Sequence, residues 1–168
     1  LAKKLIFAAK KSGADAVKFQ NFTADSLATK NSKKALYQKK NTKSNETQYE
    51  MLKKLELKKE YYFKLKKLSE KIKIDFISSV FDEDSVDFLT KKLKIKYLKI
   101  PSGEITNLLI LKKLQKIKNK IILSTGMANL REIINSLNLI AKNKVYKFIN
   151  EKKIIIRNKS LHKKLKEK

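Results

Sequence analysis

The sequence predicts an α/β fold built on a parallel sheet, and three observations carry that prediction. Short apolar segments recur near residues 74, 96 and 120, with an amphipathic helical pattern in each gap. Strand alternating with helix implies right-handed crossovers and parallel strands. The apolar segments show little alternation, the pattern of strands covered on both faces. Polar residues then gather where these segments end, in VKFQN, ISSVFDE, KIPSGE and LSTGM.

The elements follow in order. Residues 1–11, LAKKLIFAAKK, place Leu1, Leu5, Ala8 and Ala9 on one helical face, and Gly13 is the expected stop. ADAVKFQ is a short strand interrupted by Lys18. Residues 21–45 are polar without a clear period and read as a long loop, with a short helical piece near Lys33–Gln38. Loops of this length in a compact domain tend to carry function or to be disordered. Helices follow at 46–56 and 58–71. IDFISSVF at 74–81 is the second strand, and Asp82 and Asp84 are capping candidates for DSVDFLTKKL. IKYLKIPS is the third strand, followed by a helix over Leu108–Ile117 and a fourth strand in NKIILSTGM at 119–127. Asn129 caps a last helix whose Leu130, Ile133, Ile134, Leu137 and Ile140 share a face. The tail from 145 to 168 is basic around an apolar run, Ile154–Ile156, and reads equally as a strand or as part of one long helix.

Composition narrows the function classes. The hydrophobic fraction of 42% suffices for a core. No run of about 18 apolar residues supports a membrane span. The absence of cysteine excludes disulfides and thiolate metal sites, and fits a cytoplasmic protein. The chain starts on Leu1, inside a helical pattern, and is expected to be an internal piece of a longer protein. Its net charge of +26 has two readings, a nucleic-acid binder or compositional drift. Drift is favoured, because the charge is nearly all lysine, spread along the chain, with Arg131 and Arg157 the only arginines. Specific readers of phosphates and bases favour the bidentate arginine fork. The single histidine, His162, lies among lysines and reads as a solvated bystander. No metal-ligand spacing, serine–histidine pairing, Walker loop or dinucleotide fingerprint is present.

The chemistry concentrates at the strand ends. In a parallel α/β fold these share one edge, where ligands bind. The only proline and one of three glycines, Pro101 and Gly103, stand together in KIPSGEITN, and Gly126 ends another strand. Glycine there suggests a sharp turn or a close approach to a ligand. Lys18 and Lys99 each sit inside an apolar strand, where a charge is costly without a partner. Such a lysine lies at an edge and snorkels outward, forms a Schiff base, or clamps a phosphate or carboxylate. Two of them near the Ser102, Ser124 and Thr125 hydroxyls favour the anion clamp. Gln20, two residues from Lys18, points the same way. Glu104 serves either the dipole of the following helix or proton transfer.

Taken in order, GADAVKFQ, KKALYQKKNT, ETQYEMLKKLEL, DFISSVFDEDSVDFL, KIPSGEITN and IILSTGMANLREI resemble the sialic acid synthase family over residues 1 to about 142. SGEITN points to the sialic or legionaminic branch. The resemblance implies a partial (β/α)8 TIM barrel of about four βα units, spanning 1–144, with 145–168 as a basic tail. It implies a cytoplasmic enzyme, a homodimer at full length, that binds neither nucleic acid nor membrane. Such an enzyme condenses phosphoenolpyruvate with an N-acetylated amino sugar and releases phosphate. Lys18, Gln20, Ser79, Lys99, Ser102 and Ser124 would hold phosphoenolpyruvate, and Glu104, with Lys99, would be catalytic. A divalent metal, manganese or magnesium, would bind through residues outside this chain. Ser79 stands where the family has threonine, and Val80 replaces a proline. The early catalytic glutamate, the metal-binding histidines and the residues that grip the amino sugar would also lie outside the chain. A Schiff-base aldolase of barrel fold and a basic nucleic-acid-binding domain are the rival readings.

Overall fold

A computed structural model describes residues 1–36, 38, 45–141, 146–148 and 154–156. Its centre is a four-stranded parallel sheet in the order β1-β2-β3-β4, with β1 Ala16–Asn21, β2 Asp75–Val80, β3 Tyr97–Ile100 and β4 Lys120–Leu123. Strands that follow one another in sequence are also neighbours in the sheet, the progression a partial (β/α)8 barrel requires. All four expected strands are present, each shorter than its apolar run.

Helices cover one face. Helix α1, Ala2–Lys11, contributes Ile6, and Gly13 follows it with a positive φ of 78° that ends the turn. Helix α4, Lys59–Lys71, contributes Tyr62 and Leu65. Helix α5, Glu83–Asp87, is capped by Asp82, whose Oδ1 accepts from Ser85 N at 2.6 Å; Asp84 lies in the first turn instead. It runs on into a π-helical turn over Phe88–Lys92, closed by Leu93 N donating to Phe88 O at 2.8 Å. The wider turn buries Phe88, Leu89, Leu93 and Ile95 together. Helix α6, Leu108–Leu114, adds Ile110, Leu111 and Leu114, and α7, Leu130–Ile140, is capped by Asn129 in a box with Glu132. Each such fully buried apolar side chain is worth about 1.5–3 kcal/mol.

The strands do alternate in burial, contrary to the expectation of two covered faces. Val17, Phe76, Leu98 and Ile100 are buried under the helices. Lys18 and Gln20 of β1 and Ile122 of β4, on the other face, are exposed. That other face is the more open one, although Ser79 on it is buried and Ile77, Tyr97 and Lys99 are half-buried. Short apolar runs do not reveal this, since Ile77, Tyr97 and Ile122 are as apolar as their covered neighbours.

The long connection from β1 to α4 is more ordered than its composition suggests. Helix α2, Ala24–Leu27, was not anticipated; Thr23 and Ser26 cap it reciprocally. Helix α3, Gln48–Leu55, has a matching box between Thr47 and Glu50. The two helices are tied by Asp25, which accepts from Tyr49 Oη at 2.8 Å and Lys53 Nζ at 3.3 Å. Lys34 is buried and pairs with Glu46 at 3.0 Å. The helical piece expected near Lys33–Gln38 falls partly outside the described residues. A groove runs along the free edge of β1, lined by Leu1, Leu5, Lys18, Gln20, Leu52 and Leu55. In the tail, β5, Tyr146–Phe148, pairs antiparallel with β6, Ile154–Ile156; a single long helix is ruled out there. His162 lies outside the described residues.

Two lysines occupy backbone conformations that suit glycine. Lys73 and Lys94, at the turns into β2 and β3, have φ of 57° and 54°. A side chain in the left-handed region costs about 1–2 kcal/mol. Lys73→Gly and Lys94→Gly should each raise stability in urea unfolding by about 1 kcal/mol, whereas Lys→Ala at either position should change little.

Candidate functional site

The register of the sheet assembles the site. Gln20 pairs with Ser79, Ser79 with Lys99, and Lys99 with Ile122, so the four form one row across the sheet. Lys18, Ile77, Tyr97 and Lys120 form the adjoining row. Side chains alternate along a strand, so both rows face away from the helices, onto the open face. Gln20 and Ser79, far apart in sequence, thus become neighbours through backbone pairing alone.

Hydroxyls from the helical layer fix the end of β1. Tyr62, fully buried, donates its Oη to Gln20 O at 2.5 Å. Ser85 Oγ donates to Asn21 O at 3.1 Å. The last two carbonyls of β1 are therefore satisfied from outside the sheet, which holds the strand end that carries Gln20. Neither Tyr62 nor Ser85 belongs to a strand-end motif; buried polar groups on helix faces were the only available signal.

The chemistry of the rows is electropositive and unsatisfied. Ser79 is wholly buried, and its Oγ has no hydrogen-bond partner among the described residues. A buried hydroxyl without a partner costs about 1–3 kcal/mol, and it lies between Gln20 and Lys99. Lys99 is half-buried. Burial pushes its ammonium below the ordinary lysine range, and the positive charge of Lys18 pushes it further the same way. Neither lysine is paired with a carboxylate among the described residues. Two such ammonium groups repel each other, and an anion accepting from both would relieve that repulsion.

The remaining candidates lie at the carboxyl end of the sheet. Ser102 and Glu104 share a single 3₁₀ turn directly after β3, behind Pro101. Ser124 follows β4, and its backbone N donates to Ile100 O at 3.1 Å, continuing the β3–β4 pairing past the strand. Ser102, Glu104 and Ser124 thus share the edge where Gln20 and Ser79 end their strands, but no hydrogen bond joins them to the two lysines. Gly103 and Gly126 both lie in turns, as expected, but in turns that do not require glycine. Neither has a positive φ, and a Cβ at either would meet nothing within 4 Å. No cluster of three or more His, Cys, Asp or Glu side chains able to hold a metal occurs among the described residues. Likewise, no helix among them is long and apolar enough to cross a membrane.

Residues 5–156 match the NeuB family. The chain belongs to that family. It is 53% identical over 133 residues to the N,N'-diacetyllegionaminic acid synthase of Legionella pneumophila, covering 79% of this chain and 37% of that protein. It is 52% identical over 143 residues to the Campylobacter jejuni protein of the same name, covering 85% and 42%. Among solved structures, it superposes on a sialic acid synthetase of Leptospira borgpetersenii, crystallised with citrate, with a TM-score of 0.69 at 27% identity. That likeness covers 86% of this chain and 45% of that one. The NeuB chain therefore spans about two fifths of the length of the relatives it matches, as expected for half of a barrel.

The electrostatic coupling of the two rows can be read directly. With lysines labelled by ¹³C-dimethylation, Lys99 should titrate below the bulk of the lysines. Lys18→Met should move it part of the way back up, because burial remains. A Lys99 resonance that Lys18→Met leaves in place would contradict the coupling.

Proposed function

We propose that the protein carrying this chain condenses phosphoenolpyruvate with an N-acetylated amino sugar, forming a nine-carbon sialic-type acid and inorganic phosphate. What carries the reading is the row Gln20–Ser79–Lys99, with Lys18 beside it and the Ser79 hydroxyl lacking a partner. Phosphoenolpyruvate, a compact trianion with separate carboxylate and phosphate ends, is matched by two ammonium groups with no carboxylate counter-ion. The two close relatives named for N,N'-diacetyllegionaminic acid favour a legionaminic-type product.

In the proposed reaction, carbon 3 of phosphoenolpyruvate attacks the aldehyde carbon of the open-chain sugar, and the C–C bond forms. The aldehyde oxygen takes up a proton. Water adds at carbon 2, and the C–O bond to phosphate then breaks. Lys18 and Lys99 stabilise negative charge on the carboxylate and the departing phosphate, most effectively where water is excluded. Ser79, Ser102 and Ser124 orient the enol carbon by hydrogen bonds to the anion. Glu104 moves the proton near the forming bond. The described residues provide no metal-binding cluster. A divalent metal, manganese or magnesium, would be held by the rest of the protein, and none of these steps is routed through it. On this reading residues 1–144 belong to the barrel and 145–168 to a basic tail, in a cytoplasmic homodimer.

The test is phosphate release from phosphoenolpyruvate by the full-length protein, supplied with N-acetylmannosamine or its 2,4-diacetamido counterpart. Lys99→Met should lower kcat/KM by about 10²–10³, and Glu104→Gln should lower kcat by about 10²–10⁴. No turnover with either sugar, with or without added manganese, sinks the reading. Borohydride should trap no pyruvate adduct on Lys18 or Lys99; an adduct would favour the Schiff-base rival.

The 168-residue chain by itself should show no turnover and should self-associate in sedimentation velocity. Among the described residues β1 and β4 are the outer strands of the sheet, and unpaired edges template association.

A further inference from the structure

Glu104 is held by a neighbour that no strand-end motif singled out. Asn107 Nδ2 donates to Glu104 Oε2 at 2.8 Å. The other end of the same amide, Oδ1, accepts from Ile110 N at 3.3 Å and caps α6. The backbone repeats the connection: Asn107 N donates to Glu104 O, and Glu104 N to Pro101 O, both at 3.0 Å. One residue further along, Ser136 of α7 donates its Oγ to Ile105 O at 2.6 Å, while the Ile105 side chain is buried. The turn that bears Glu104 is thus closed on itself at Pro101 and pinned to α6 and to α7. The Glu104 carboxylate has one oxygen tied, and Oε1 carries no hydrogen bond among the described residues.

We propose that Asn107 is the positioning residue for Glu104: α6 fixes one end of its amide, and the other end presents the carboxylate in one orientation, with Oε1 left for substrate. This rests on the acid/base role proposed for Glu104. A glutamate side chain has three rotatable bonds, and without a tether its carboxylate samples positions from which proton transfer fails. A misplacement of about 1 Å can cost about 10²-fold in rate. Helix capping alone does not require asparagine, because Asp and Ser cap equally well. An amide carries its cap acceptor and its carboxylate donor on two separate atoms, so one can face the helix while the other faces Glu104.

That difference sets the experiment, in the full-length protein. Asn107→Asp keeps the cap and replaces the donor with a second carboxylate; Asn107→Gly removes the tether and weakens the cap only slightly. Both should retain the wild-type melting temperature within a few degrees and KM for phosphoenolpyruvate within about threefold, while kcat falls about 10–100-fold. Wild-type kcat in both variants, or a loss confined to KM, overturns the proposal. If Asn107→Asp fails to fold, Asn107→Gly decides.

Should the wild-type protein show no synthase activity, the reading of the reaction fails, but the positioning claim stays measurable. Crystal structures of the variants should then show the Glu104 carboxylate turned from its wild-type position. A carboxylate that stays in place in both overturns the proposal on its own.

Discussion

In-register parallel pairing across β1, β2, β3 and β4 is the constraint on which the rest of the molecule depends. It sets Gln20, Ser79 and Lys99 side by side, and in the same stroke places Val17, Phe76 and Leu98 on the opposite face. Slipping one strand by a single residue would turn a lysine into the helical core and a leucine onto the open face. Burial under α1, α4, α5 and α6 forbids that slip, so the apolar core fixes the polar rows without touching them. The hydroxyls of Tyr62 and Ser85 extend the same control to the end of β1.

The open face then carries an electrostatic cost. Lys99 loses solvation and feels the like charge of Lys18, and the Ser79 hydroxyl is buried without a partner. Each is unfavourable by itself, and on the proposed reading a bound anion would relieve the repulsion between the lysines. Glu104 is treated in the opposite way, anchored through Asn107 at the head of α6. The positive groups are left wanting a ligand, while the acidic group is held still. This division of roles follows from where each lies: the lysines on the sheet face, the glutamate in a turn clamped by its neighbours.

Much of this was legible in the sequence, and the exceptions have physical causes. The strands and their helices follow from apolar runs and caps such as Asn129 and Asp82. Helix α2 was missed because a four-residue helix has no period; only the Thr23–Ser26 pairing marks it. The π-helical turn over Phe88–Lys92 depends on packing four apolar side chains, which spacing does not encode. The glycines at the strand ends mark turns, as expected, but not the left-handed ones. Gly103 and Gly126 take ordinary conformations, while Lys73 and Lys94 occupy the left-handed turns. A lysine-rich composition hides such positions, because lysine there looks like any other.

By itself the sequence determined the α/β class, the parallel sheet, the family and the edge at which polar residues gather. All of these are local or repeated patterns, carried by residues near one another in the chain. Only the tertiary structure decided which face of the sheet is open, and that Gln20, Ser79 and Lys99 form a single row. It also decided that the Ser79 hydroxyl lacks a partner and that Asn107 grips Glu104. Register is a long-range agreement among strands, set by which side chains the helices can bury. Hydrogen-bond satisfaction is a property of the whole neighbourhood, which spacing along the chain does not encode.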